Sequence, residues 1–127
     1  MKKFFKLLSF LVLSSLFLIG CSGTGYDANV RLVREGHLNM NPGVPIGKAF
    51  DQFFINDSWK SFTSTENEKI VEFKGDCTFF NAPVTMKIQF KLSGNEFEVK
   101  YVGMDDIDLD YFEGLGVVEK VLSEYRP

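Results

Sequence analysis

Residues 83–102 constrain the architecture of this chain more than any other stretch. Val84, Met86, Ile88, Phe90 and Leu92 alternate with Thr85, Lys87, Gln89 and Lys91, and Phe97, Val99 and Tyr101 repeat the pattern a few residues later. A period of two marks a strand with one buried and one wet face. Gly94-Asn95 between the two runs is a two-residue hairpin signal. It sets Leu92 opposite Phe97, Phe90 opposite Val99 and Ile88 opposite Tyr101, with Lys91 meeting Glu98 on the polar face. The preceding segment extends the sheet. With Asn81-Ala82 as a second two-residue turn, Phe79 faces Val84, Cys77 faces Met86, Phe73 faces Phe90 and Val71 faces Leu92, while Asp76 meets Lys87 and Glu72 meets Lys91. Apolar packing and opposite charge agree on this register. The expectation is a three-stranded antiparallel meander over about residues 69–80, 83–92 and 96–102.

A sheet with one apolar face needs a cover. Ile46, Ala49, Phe50, Phe53 and Phe54 recur at helical spacing, as do Leu115, Val118, Val121, Leu122 and Tyr125, which predicts helices at about 46–55 and 110–125. The fold class is therefore α+β. Gly114 and Gly116 each weaken the second helix by about 1 kcal/mol relative to alanine. Residues 28–36 read as a first strand with poor alternation, and residues 39–45, with Pro42, Gly43 and Pro45, read as a loop. Asn56-Asp57-Ser58 is expected to end the first helix, leaving Trp59 in a polar loop where it forms a corner of the core with Phe62.

The N-terminal end carries an address. Lys2, Lys3 and Lys6 precede an apolar run over residues 7–19, too short for the roughly 20 residues of a spanning helix and the right size for a signal-peptide core. The run ends in Leu18-Ile19-Gly20-Cys21, which resembles the bacterial lipobox. That resemblance implies export, cleavage before Cys21 and acylation of Cys21, so that the chain is anchored to a membrane by lipid. Ser22, where some Gram-negative lipoproteins carry an inner-membrane retention aspartate, implies sorting to the outer membrane in a cell that has one; the location is the cell membrane or the outer membrane. The chain then divides into a signal peptide (1–20), an acylated tether (21–27) and one domain (28–127). Eleven of the fourteen basic residues remain after cleavage against seventeen acidic ones. A surface of that sign is not drawn to anionic headgroups, so acyl chains hold it at the membrane. Cys77 is left as the only thiol, expected on the core face, since an exposed one is a liability in an oxidising compartment.

The chemistry-bearing residues point away from catalysis. An acidic balance, net −3 before processing, gives no reason to expect nucleic acid as a partner. Asp105, Asp106, Asp108, Asp110 and Glu113 suggest a calcium loop, but a loop beginning at Asp106 needs Gly at its sixth position and Glu at its twelfth. Tyr111 and Val117 stand there. These residues read as acids at a helix start, with Asp106, Asp108 and Asp110 the alternative weak cation ligands; no metal or other cofactor is expected. His37, the single histidine, has no ligand or triad spacing around it and reads as a loop residue. The carboxylates single out no acid/base pair, and phosphate loops, dinucleotide fingerprints and nucleophile elbows do not occur. Trp59 and Phe80 remain as candidates for partner contact, Phe80 through its place on the outer sheet face.

One longer pattern is familiar. Val33-Arg34-Glu35-Gly36-His37-Leu38, Ile46-Gly47-Lys48-Ala49-Phe50-Asp51-Gln52-Phe53-Phe54, Ser58-Trp59-Lys60-Ser61-Phe62, Val71-Glu72-Phe73 and Ile88-Gln89-Phe90 resemble small bacterial lipoproteins and secreted domains without a known activity. In that group Thr commonly caps the helix before Ile-Gly, where Pro45 stands here. The order of helices and sheet is also similar to the fold of the outer-membrane assembly lipoprotein and β-lactamase-inhibitor group, an analogy of fold alone. The expected function is a lipid-anchored, non-catalytic module that binds an envelope protein. The alternatives are an inhibitor of an envelope-directed hydrolase and a carboxylate-based enzyme acting on envelope glycans.

Overall fold

The structure, a computed structural model, describes residues 25–127; the expected signal peptide and Cys21 lie outside the described residues. Helices α1 (Ala28–Arg34) and α2 (Ile46–Phe53) lead into strands β1 (Ile55–Thr63), β2 (Lys69–Phe79), β3 (Ala82–Ser93), β4 (Glu96–Met104) and β5 (Ile107–Asp108), and α3 (Tyr111–Ser123) closes the chain. The strands form one antiparallel sheet in the order β1-β2-β3-β4-β5. The α+β class, the meander and the α2 and α3 cover stand as expected.

The core lies between the apolar sheet face and the helices. Val71, Phe73, Met86, Ile88 and Phe90 from the sheet and Ile46, Phe50, Val118 and Val121 from the helices are all buried. Phe50 is its centre, with ring centroids 4.8 Å from Phe73, 5.6 Å from Phe54 and 5.6 Å from Trp59. The α3 helix starts at a capping box in which Asp110 accepts from the Glu113 N–H and Glu113 accepts from the Asp110 N–H, satisfying two otherwise orphaned donors. It lies against β4 at Gly114, where a Cβ would come within 2.9 Å of Val102 Cβ.

Five expectations are corrected. Residues 28–36 begin a helix, because the Asp27 carboxylate accepts from the Val30 N–H at 2.9 Å and Val30 and Val33, three apart, both face the core. Residues 56–58 continue a strand: α2 ends at Phe53, and β1 places Trp59 opposite Phe73. As an edge strand, β1 is mostly exposed and carries little apolar signature. The β2–β3 turn is Phe80-Asn81, whose φ values of 52° and 64° match a type I′ hairpin. The register shifts by two residues, so Phe73 meets Ile88, Val71 meets Phe90 and Cys77 meets Val84. A slip of two preserves which face each side chain occupies, but it places Phe80 in the turn instead of on the sheet face. In β4, Phe97 and Val99 pair as expected; Lys100 is then an extra residue, so Tyr101 lies opposite Gln89 and Val102 opposite Ile88. This bulge turns Tyr101 outward and Val102 inward. Finally, Asp105-Asp106, with φ values of 51° and 67°, turns the chain into β5, an element the apolar pattern did not show.

Candidate functional site

The β2–β3 turn projects from one end of the sheet. Phe80 at its tip is 91% exposed and in the left-handed region, which aromatic residues seldom enter. Its ring stands edge-on to Phe79, 5.0 Å away, while Phe79 itself is buried. Near the turn lies a shallow depression of about 340 Å³ lined by Ile55, Cys77, Thr78, Pro83 and Val84, with Asp76, Thr85 and Asp105 along one side, and Ile55 is 66% exposed. The turn thus carries a projecting aromatic, with a recess of mixed apolar and acidic lining on the strands behind it. Cys77, half-buried on the core side of this recess, carries a thiol whose pKa is pushed up by burial and further by Asp76 and Asp105, so it stays protonated and unreactive.

Trp59, the other candidate contact, is half-buried. It stacks on Phe50 and meets Phe73 at 4.9 Å, and the Arg34 guanidinium lies 5.5 Å above its ring and 4.6 Å from that of Tyr26. Arg34 is fixed there by a bidentate pair with Asp51 at 2.8 and 3.1 Å. Phe62, expected to share the corner, is on the opposite sheet face beside Ile70, with Lys60 5.7 Å above its ring. The structure therefore places Trp59 in a packing role and separates it from Phe80.

The acidic residues are dispersed by the turn and the capping box. Asp110 caps α3, Asp105 accepts from the Thr85 N–H at 2.8 Å, and Asp108 accepts from the Tyr101 hydroxyl at 2.5 Å. Among the described residues no three His, Cys, Asp or Glu side chains converge on one point that could hold a metal ion. His37 is exposed in the loop after α1, on the rim of a groove of about 580 Å³ that also takes in Leu38, Met40, Phe97 and Tyr111.

The Asp108 hydrogen bond has a measurable consequence. Chiefly through it, the Tyr101 pKa is pushed up to about 12. A raised pKa means the contact stabilises fully below the ordinary tyrosine value and is lost as pH rises through about 12. In a phenolate absorbance titration, the Tyr101→Phe variant is expected to lose a transition near pH 12, and Asp108→Ala to move it down toward 10.0. An unmoved transition in Asp108→Ala would remove the hydrogen bond as its cause.

Sequence reasoning missed Lys74 and Lys87, which the register places directly opposite one another on the uncovered sheet face. It also missed the exposure of Ile107 and Phe112. The signal for the lysines was the turn: Asn is at home in the left-handed region, and reading Phe80-Asn81 as the turn pairs the two lysines. Comparison with protein families, curated proteins and solved structures finds no match to this chain.

Proposed function

We propose that this chain is a lipid-anchored, non-catalytic accessory module of the cell envelope, tethered through Cys21, that binds a protein partner with the tip of its β2–β3 hairpin. The observation that carries the reading is Phe80. A large aromatic exposed at a turn position that favours Asn or Gly costs on the order of 1 kcal/mol in backbone strain and recovers little of it by burial. Side chains kept at such a cost belong to surfaces where they are used, and single projecting aromatics are frequent anchors of protein interfaces. Among the described residues no helix is long and apolar enough to cross a membrane, and the lipid on Cys21 supplies the attachment.

The test is crosslinking in intact cells with the parent chain and with Phe80→Asn. Asparagine suits the turn, so the variant is expected to melt no lower than the parent, the relief of strain offsetting the lost contact with Phe79. The parent is expected to capture a protein partner that Phe80→Asn loses, and in the same cells Cys21→Ser is expected to lose a fed fatty-acid label. Equal recovery of the partner by Phe80→Asn, or recovery of none by the parent, would overturn the binding role; a label retained by Cys21→Ser would overturn the anchor.

A further inference from the structure

With one exception, the lysines of the uncovered sheet face are ion-paired. Lys60 pairs with Glu72 at 3.4 Å, Lys91 with Glu68 at 3.2 Å, and Lys100 with Glu68 and Glu66. The exception is Lys74 and Lys87. They stand directly opposite each other on β2 and β3, an arrangement of like charges that destabilises a sheet, and neither is among the ion pairs within 4.0 Å formed by the described residues.

Several nearby carboxylates already take other donors, Glu72 that of Lys60 among them. Asp76 accepts from the Thr85 hydroxyl at 2.8 Å and from Asn56 at 3.3 Å, Glu72 accepts from Gln89 at 2.8 Å, and Asp108 takes the Tyr101 hydroxyl. The two ammonium groups instead border a hollow of about 340 Å³. Its floor is Gly103, opposite Lys87 in the register. A Cβ there would collide with the Tyr101 hydroxyl oxygen, so glycine both opens the hollow and lets the Tyr101 ring lie along its wall.

The rim of the same hollow is rich in acceptors. Asp105, which accepts from the Thr85 N–H, and Asp106, exposed at the β4–β5 turn, both line it, and the Tyr101 hydroxyl donates to Asp108, which leaves its oxygen able to accept. Two adjacent ammonium groups act on an anion as point charges, which suits a phosphate. A carboxylate and a phenolic oxygen beside them suit hydroxyl groups. We propose that this hollow binds a phosphorylated sugar, with the phosphate between Lys74 and Lys87 and ring hydroxyls donating to Asp106 and Tyr101. The sugar phosphate is either a soluble molecule or the headgroup of a glycolipid, and the site is separate from the Phe80 tip.

The experiment is an amide chemical-shift titration of the full chain in detergent with glucose 6-phosphate, glucose and inorganic phosphate. A second arm measures sedimentation with phosphatidylcholine vesicles, with and without a phosphorylated glucosamine lipid. Saturable shifts at residues 74, 87 and 103 with glucose 6-phosphate identify a soluble ligand; retention by the doped vesicles alone identifies a headgroup, and both support the proposal. Lys87→Gln is expected to weaken binding about tenfold or more, and Asp106→Asn to erase the preference for glucose 6-phosphate over inorganic phosphate. Because Lys74→Gln removes a like-charge contact, it is expected to melt no lower than the parent while losing affinity, which separates binding from folding. Absence of binding in both arms, equal affinity for inorganic phosphate in the parent, or undiminished binding by Lys74→Gln and Lys87→Gln would overturn it.

Discussion

Replacing Phe50 with alanine is expected to remove about 3–5 kcal/mol of stability, a large part of the roughly 5–15 kcal/mol that a domain of this size has. Phe50 is fully buried and its ring lies within 6.3 Å of those of Phe54, Trp59, Phe73 and Phe90. Its removal therefore takes away transfer free energy and leaves a cavity whose walls belong to three strands and the helix that carries it. Those walls cannot close together, because β1, β2 and β3 are held in register by their ladders. Urea denaturation checks the expectation through a lowered midpoint at an unchanged slope. A loss below about 1 kcal/mol would mean that the aromatic cluster repacks around the gap and is not the keystone of the core.

The two glycines of α3 are expected to respond to substitution with opposite signs. A Cβ at Gly114 meets both Cβ and Cγ2 of Val102 at 2.9 Å. Neither neighbour can swing aside, since Val102 is β-branched, buried and fixed in β4, and the helix backbone is anchored by its capping box. Gly114→Val is thus expected to cost about 1–3 kcal/mol by overpacking and to push α3 away from the sheet. At Gly116 a Cβ meets nothing within 4 Å, so Gly116→Ala is expected to gain about 1 kcal/mol from helix propensity, or roughly 4–8 °C in melting temperature. Thermal melts of the two variants side by side decide it. A Gly114→Val protein that melts with or above the parent would show that the helix and strand do not approach as closely as described.

Those glycines illustrate what can be read from sequence. Propensity treats Gly114 and Gly116 alike; only the packed structure shows that one is a contact surface and the other is open. The sheet was legible for a related reason. Alternation over residues 71–92 assigns each side chain to a face, and that assignment survives a slip of two residues, so the core residues Val71, Phe73, Met86, Ile88 and Phe90 were identified even though their partners were not. The pairing itself was read from Asn81-Ala82 as the turn, with opposite charges in agreement. On a wet face each opposite-charge pair contributes only about 0.2–1 kcal/mol, and the left-handed tolerance of Asn81 together with the type I′ geometry outweighs it. A bulge leaves no trace in apolar periodicity when both Tyr101 and Val102 can fill the inward place. Strand β1 was hidden because an edge buries few side chains, and α1 because seven residues carry too few periods to distinguish three from two.

The candidate sites divide in the same way. Phe80 stood out from sequence as an aromatic that the alternation places on the outer sheet face, while its position at the turn depended on register. Trp59 drew attention as an aromatic in an expected polar loop, and its ring is packed against Phe50 and Phe73. Lys74 and Lys87 become neighbours only when Asp76 pairs with Thr85 in place of Lys87. Distances along the chain do not encode such a contact, and the two-residue displacement that invalidated the charge pairing is what created it.

The bulge at Lys100 also governs what this sheet does in a crowd. The short β5 pairs only with Gly103 and Met104, so most of β4 presents an unpaired edge, the usual starting point for runaway addition of strands from other copies. A straight incoming strand that matched Glu96–Val99 would fall out of step beyond Lys100, where two residues occupy the space of one. Its hydrogen bonds would end after a few residues. The irregularity that turns Tyr101 toward solvent thus shortens the stretch of this edge on which a strand from another copy could pair.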